Sequence, residues 1–154
     1  MQSSEQRLLV VEDDVTVARA LCRTLARRGF SVAIARSCSA ARSLLQTFDF
    51  AVLDLDLPDG NGVDLAQQLM ESSKVPSVLF FTSSTDPVLL ALARRLGPVV
   101  MKASGTSPIL AILAPEAGDP PQSRTAPSSK ARGYRASSSS ALSRAILPRK
   151  QRAR

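Results

Sequence analysis

The sequence predicts an α/β fold, a doubly wound five-stranded parallel sheet with helices on both faces. Two observations lead to this prediction. Short apolar runs without polar alternation recur through the first hundred residues, and segments with helical spacing of apolar residues lie between them. A strand that is apolar along its whole length is typical of a parallel sheet buried on both faces. Strands that alternate with helices give this layered architecture.

Five apolar runs are the predicted strands. They are residues 8–11, 32–35, 51–53, 78–81 and 99–101.

Three segments with helical spacing lie between these strands. Apolar residues recur at helical intervals over residues 18–25 and again over residues 65–70. The third segment begins at Asp86, whose side chain can cap the free amides of the first turn, and Pro87 fits the first helical position. We therefore expect a helix in each of these segments.

The composition changes towards the end of the chain. Only residues 108–114 have helical spacing there, and Pro115 ends this fifth helix early. We predict a folded domain over residues 1–117 and a disordered tail rich in proline, serine and arginine over residues 118–154. Residues 1–118 carry 11 basic and 12 acidic residues, whereas the last 36 carry nine basic residues and one acidic residue. The overall charge of +7 therefore comes from the tail.

Cysteine use and hydropathy predict the compartment. Cys22 and Cys38 lie in apolar patterns without metal-ligand spacing, and the chain has no histidine, so we expect both to be reduced packing residues. No stretch approaches the roughly 18 consecutive apolar residues of a membrane span, and residues 1–7 lack the pattern of an export signal. We expect a cytoplasmic protein without membrane partners.

Polar residues follow four of the predicted strands. An acidic run that includes Asp13 and Asp14 follows the first strand, Asp54 the third, Thr82 the fourth and Lys102 the fifth. In an open parallel sheet the ligand site lies at the carboxyl edge of the strands. We therefore expect these five side chains to meet at one site.

The residue types at this predicted site favour phosphoryl transfer with Mg²⁺. Grouped carboxylates resist ionising together unless a cation compensates them, and Mg²⁺ prefers such oxygen ligands. Asp13, Asp14 and Asp54 are the predicted metal ligands. Thr82 could donate a hydrogen bond to the phosphoryl oxygens, and Lys102 could supply a positive charge. A carboxylate nucleophile, a metal and such donors are the parts that the reaction needs.

Each of these residues also has a structural interpretation. Asp14 could only cap the next helix, with Asp13 a solvated neighbour. Asp54 could be a carboxylate at a strand end, Thr82 a β-branched strand residue and Lys102 a surface lysine. Their occurrence at the ends of four different strands favours the functional interpretation.

At these residues the sequence resembles the receiver domains of bacterial two-component response regulators. The resemblance begins at residues 10–14 and is closest over residues 52–62, where a proline follows Asp54 by four positions and a glycine by eight. It covers about residues 7–114 and implies a flavodoxin-like receiver fold. It also implies that Asp54 accepts a phosphoryl group from a phosphohistidine on a sensor histidine kinase or a histidine phosphotransfer protein.

The resemblance further implies the roles of the other site residues. The metal ligands would be the carboxylates of Asp13, Asp14 and Asp54 and the backbone carbonyl of Asp56. Thr82 and Lys102 would contact the phosphoryl oxygens, and phosphorylation would switch the conformation of the domain. Such a protein is classed as a signalling protein rather than an enzyme, although it catalyses its own phosphorylation and dephosphorylation. Its output protein is not indicated.

The chain departs from the family pattern in ways that leave two alternatives. Val99 stands where the family often has an aromatic switch residue, and Ala103 where it commonly has proline. Together with the short fifth helix, this allows a phosphorylation-independent, receiver-like interaction module. The second alternative is a transcriptional regulator that binds DNA through the tail, residues 118–154, although Tyr134 is the only aromatic residue there that could stack on bases.

Overall fold

The computed structural model describes residues 4–114. The elements in chain order are β1 (Arg7–Val11), α1 (Val15–Ala26), β2 (Ser31–Ala35), α2 (Cys38–Ser43), β3 (Phe50–Leu53), β4 (Asp56–Leu57), β5 (Gly60–Asn61), α3 (Gly62–Glu71), β6 (Val78–Thr82), α4 (Pro87–Leu96), β7 (Val99–Met101), a 3-10 turn (Lys102–Ser104) and α5 (Ser107–Leu113). The five predicted strands are β1, β2, β3, β6 and β7. The sequence did not predict α2 or the short antiparallel hairpin of β4 and β5.

The main sheet has five parallel strands in the order β2-β1-β3-β6-β7, which confirms the predicted architecture. The chain places β2 on one side of β1 and then adds β3, β6 and β7 in turn on the other side. The direction therefore reverses between β1 and β3. In open sheets of this kind, ligands bind beyond the carboxyl ends of the strands at such a reversal.

Helices cover both faces of the sheet and enclose two separate cores. Leu9 and Val11 point to the face that α2, α3 and α4 cover, whereas Leu8 and Val10 point to the face under α1 and α5. Successive side chains of a strand point to opposite faces, so a strand between two helical layers must be apolar at every position. The uninterrupted apolar runs of the sequence follow from this.

Polar side chains cap the N-termini of α1 to α4. The cap of α4 is the one predicted: Asp86 Oδ1 accepts hydrogen bonds from the N–H groups of Val88 at 2.9 Å and Leu89 at 3.2 Å, and Pro87 is the first helical residue. Ser37 caps α2 in the same way through the N–H of Ala40. A cap side chain satisfies backbone donors that have no partner within the helix.

Helix α5, where the sequence predicts a short fifth helix, contains seven residues. Cys22 and Cys38 are free, and Cys38 is buried, which raises the pKa of its thiol. None of the helices within residues 4–114 has the length and apolar character that crossing a bilayer requires. The tail predicted over residues 118–154 lies outside the described residues.

Candidate phosphoacceptor and metal site

Asp54 lies where β3 ends, at the reversal point of the sheet. Its backbone N–H still donates to the carbonyl oxygen of Val11 at 2.9 Å, so pairing with β1 continues up to this residue. Its side chain is only 6% exposed. Carboxylates are seldom buried without a compensating partner, so the surroundings of Asp54 decide what it can do.

Two acidic residues after β1 complete a cluster with Asp54. One carboxylate oxygen from each of Glu12, Asp13 and Asp54 lies within 4.8 Å of the others. The N–H of Glu12 donates to the carbonyl oxygen of Ala35 at 3.0 Å, which holds Glu12 against the end of β2. The carboxyl ends of the neighbouring strands β1 and β3 thus bring three carboxylate oxygens together.

Lys102 forms ion pairs with two members of this cluster. Its Nζ lies 2.7 Å from Glu12 Oε2 and 2.7 Å from Asp54 Oδ2, and the lysine side chain is 18% exposed. Burial opposes the charged amine, but the hydrogen bonds to Asp54 and Glu12 outweigh this effect and raise the pKa of Lys102. Burial raises the pKa of Glu12, and the hydrogen bond from Lys102 counteracts it only in part. One ammonium group therefore serves two buried carboxylates.

Asp14 is outside the cluster, which differs from the predicted ligand set. Its Oδ1 accepts hydrogen bonds from the N–H groups of Thr16 at 2.8 Å and Val17 at 3.0 Å and so caps α1. These bonds, to Val17 and Thr16, lower the pKa of Asp14. Glu12, which the sequence analysis did not assign, takes its place beside Asp13 and Asp54. Aspartate is preferred at the position before a helix, and this preference is the sequence signal that Asp14 caps α1.

Thr82 and Asp56 lie at the same edge of the sheet. Thr82 ends β6, the strand next to β3, and is fully buried; its Oγ1 accepts a hydrogen bond from the N–H of Ser84 at 3.0 Å. The N–H of Asp56 donates to Asp54 Oδ1 at 3.3 Å, while the Asp56 side chain is exposed. The structure therefore brings Asp13, Asp54, Thr82, Lys102 and the backbone of Asp56 to one edge.

The loop after Asp54 is held against the backbone of Asp54 by close packing. The N–H of Gly62 donates to the carbonyl oxygen of Leu55 at 2.9 Å. A Cβ atom on Gly62 would lie 2.1 Å from the carbonyl oxygen of Asp54, which no side chain tolerates. The hairpin and the start of α3 can approach Asp54 only because residue 62 is glycine.

The chemistry of the cluster fits a divalent cation. All three donors are carboxylate oxygens, the ligand type that Mg²⁺ and Ca²⁺ prefer. Glu12 and Asp54 share the ammonium group of Lys102, so a dication would offset negative charge that this lysine leaves uncompensated. Glu12 and Asp54 are nearly buried, whereas Asp13 is exposed, which leaves the cluster open to solvent on one side. Such a site can take water molecules or substrate oxygens as further ligands.

Residues 8–113 match the family model described as response regulator receiver domain. The DNA-binding response regulator MtrA of Mycolicibacterium smegmatis is 36% identical over 99 residues, which cover 63% of this chain and 43% of MtrA. The chain thus spans less than half the length of this curated relative.

Two solved structures are similar in fold and sequence. The non-phosphorylated HemR receiver domain from Leptospira biflexa is 34% identical, with a TM-score of 0.58, over 64% of this chain and 82% of that chain. A response regulator protein from Burkholderia pseudomallei, solved with a phosphorylated aspartic acid, a calcium ion and citrate, is 27% identical, with a TM-score of 0.62, over 70% of this chain and 65% of that chain.

Proposed function

Since this chain belongs to the family of response regulator receiver domains, we propose that Asp54 accepts a phosphoryl group in an Mg²⁺-dependent reaction and that phosphorylation switches the domain. The observation that carries this proposal is the environment of Asp54. It is a nearly buried carboxylate at the carboxyl end of a central strand, next to two other carboxylates and paired with Lys102 at 2.7 Å. This combination supplies a nucleophile, a place for a cation and a fixed positive charge.

The proposed reaction transfers the group from a phosphohistidine of a sensor histidine kinase or phosphotransfer protein. A carboxylate oxygen of Asp54 attacks the phosphorus atom, and the phosphorus–nitrogen bond of the donor breaks. The electron pair of that bond remains on the imidazole nitrogen, and an aspartyl phosphate is formed. The hydrogen bonds from the Asp56 N–H and the Lys102 ammonium orient the two oxygens of Asp54 for this attack.

The residues around Asp54 have separate tasks in this proposal. Glu12, Asp13 and Asp54 would hold Mg²⁺, with the backbone carbonyl of Asp56 as a further ligand that the family resemblance implies. The bound ion would supply positive charge to the oxygens of the phosphoryl group. Lys102 reaches the oxygen of Asp54 directly, so it can reach a phosphoryl group attached there.

Thr82 completes this set of donors. Its hydroxyl accepts a hydrogen bond from Ser84, which leaves the hydroxyl hydrogen free to donate to a phosphoryl oxygen.

We further propose that the domain acts as a signalling protein and not as an enzyme with a separate substrate. Its phosphorylation and dephosphorylation would be its own reactions, and its output would be the binding of another protein. MtrA is described as DNA-binding, but the chain spans 43% of that relative. The alternative of DNA binding through residues 118–154 concerns a segment outside the described residues.

The proposal is tested by phosphorylation of the full chain with acetyl phosphate, with and without Mg²⁺, followed by intact mass spectrometry. We expect the gain of one phosphoryl group in the presence of Mg²⁺ and no gain in EDTA. Asp54→Asn should abolish the gain, because the amide is not a nucleophile for this reaction.

Asp49→Asn is the matched control. Asp49 directly precedes β3, at the opposite end of the strand from Asp54, and its Oδ2 accepts a hydrogen bond from the N–H of Arg7 at 2.7 Å. This variant should be phosphorylated like the unmodified chain. If the unmodified chain gains no phosphoryl group under any condition, the phosphorylation-independent interaction module is the better description.

A further inference from the structure

Arg36, the first residue after β2, contacts the loop that carries two of the proposed metal ligands. Its Nη2 donates a hydrogen bond to the backbone carbonyl oxygen of Asp13 at 3.0 Å. The residue before it, Ala35, accepts the N–H of Glu12 at 3.0 Å. The end of β2 therefore holds both Glu12 and Asp13 through hydrogen bonds to their backbone.

The contact from Arg36 fixes one particular peptide group. The carbonyl of Asp13 and the N–H of Asp14 belong to the same planar unit. Arg36 binds the carbonyl, and Glu12 Oε1 accepts the N–H at 3.1 Å. Asp14 then begins α1 as its cap, so the loop is restrained from Glu12 to the first turn of the helix.

The two restraints on this peptide group differ in one respect. Glu12 is itself a proposed metal ligand, so its carboxylate has to serve the cation as well as the N–H of Asp14. Arg36 contributes no ligand and can keep its hydrogen bond whatever the carboxylates bind. Its restraint acts on the backbone that determines where the Asp13 side chain starts.

We propose that Arg36 is a positioning residue for the cation site, which holds the peptide between Asp13 and Asp14 so that Glu12, Asp13 and Asp54 converge. This inference rests on the proposed function, because it concerns the same cation site. The inference predicts that loss of Arg36 weakens cation binding, which is the opposite of what the charge of arginine alone would give. A positive charge near a cation site weakens cation binding, so removal of the guanidinium would strengthen binding if charge were all that mattered.

The test is calorimetric titration of the full chain with Mg²⁺, which measures affinity without any phosphoryl donor. Arg36→Ala removes the charge and the hydrogen bond, and we expect Mg²⁺ affinity to fall about two- to tenfold, the range that one such hydrogen bond gives. Arg36→Gln removes the charge, and its amide nitrogen is two bonds too short to reach the position of Nη2. We expect its Mg²⁺ affinity to fall in the same way as that of Arg36→Ala.

Arg23→Ala is the matched control, since Arg23 lies in the last turn of α1, at the end of the helix away from Asp14. It should bind Mg²⁺ like the unmodified chain. Thermal unfolding in EDTA should show Arg36→Ala still folded, with a midpoint lowered by at most about 4–8 °C, the shift that one lost surface hydrogen bond gives in a domain of this size, because Arg36 is exposed. Equal or higher affinity in Arg36→Ala would overturn the inference and leave the proposed function intact. No Mg²⁺ binding by the unmodified chain would overturn both the inference and the proposed metal site.

Discussion

Lys102 is the residue on which the charge balance of the site depends. It is the partner of two nearly buried carboxylates, Glu12 and Asp54, at 2.7 Å each. Removal of one partner from such a group leaves uncompensated charge in a poorly solvated place, which costs more than the ion pair itself contributes. Lys102 therefore has a structural effect in addition to its proposed role with the phosphoryl group.

Lys102→Met tests this balance. In EDTA we expect the free energy of unfolding to fall by about 1–3 kcal/mol, because Glu12 and Asp54 lose their shared ammonium group. Mg²⁺ should reduce the deficit, since a cation on the same carboxylates replaces the missing charge. Urea unfolding at pH 7 with EDTA or Mg²⁺ measures both values. Equal deficits in the two conditions would contradict a shared site for lysine and cation.

The site residues differ in how well the sequence could predict them. Asp54 and Lys102 directly follow strands and Thr82 ends one, so their position at the carboxyl edge follows from the fold. Which of the three consecutive acidic residues 12–14 face the metal site does not follow from the fold. It depends on where β1 ends and α1 begins, and α1 uses Asp14 as its cap. Helical periodicity locates such a boundary only to within a few residues.

The short hairpin and the start of α3 form the element that supports Asp54. Gly62 is required there because a Cβ atom would lie 2.1 Å from the carbonyl oxygen of Asp54. Gly60, in the same hairpin, would place a Cβ atom 3.2 Å from the Sγ of Cys38, a smaller overlap with a side chain. A side chain at position 62 would thus collide with backbone, whereas one at position 60 would meet only the side chain of Cys38.

Gly62→Ala should therefore cost more stability than Gly60→Ala. We expect Gly62→Ala to lower the free energy of unfolding by about 1–3 kcal/mol and to impair phosphorylation, because the loop must move away from Asp54. Urea unfolding of both variants gives the comparison. An equal loss in the two variants would show that the approach of Gly62 to Asp54 is not tight in solution.

The same loop is tied to α2 through Asp59. Its carboxylate accepts hydrogen bonds from the N–H groups of Ser39 at 2.8 Å and Cys38 at 2.7 Å, which lower its pKa to about 2. A carboxylate whose pKa is lower in the folded state stabilises the fold above its unfolded pKa. This contribution is lost as the pH falls towards the folded value.

Asp59→Asn should consequently be less stable than the unmodified chain at pH 7. The difference should narrow as the pH falls from about 4 towards 2, where the wild-type carboxylate also becomes neutral. Urea midpoints at several pH values measure this. A difference that stays constant over the whole range would exclude a role for the charge of Asp59.

Helix α2 illustrates what the sequence pattern could not predict at the level of elements. It has six residues, of which only Cys38 and Ala41 are buried, so it has almost no helical periodicity. Its end is held from a distance, because Lys74 Nζ donates to the carbonyl oxygens of Arg42 at 2.5 Å and Leu44 at 2.6 Å. Such a contact, some 30 residues away in the chain, leaves no local signal.

At the scale of the whole molecule, the sheet and its two cores were predictable because the inner strands β1, β3 and β6 are buried on both faces. An unbroken apolar run, as over residues 78–81 of β6, favours a strand that is buried on both faces. The strand order and the reversal between β1 and β3 do not follow from apolar runs alone. They enter through the family resemblance, which the match over residues 8–113 confirms.

On the scale of the whole chain, we propose that the arrangement directs one carboxylate, Asp54, towards a phosphoryl donor. The most direct measurement is to phosphorylate the full chain with acetyl phosphate and Mg²⁺, reduce the product with borohydride and sequence its peptides by mass spectrometry. Borohydride converts an aspartyl phosphate to homoserine. We predict homoserine at position 54 and at no other aspartate. Homoserine at another carboxylate, such as Asp13 or Asp56, or at none, would contradict the claim.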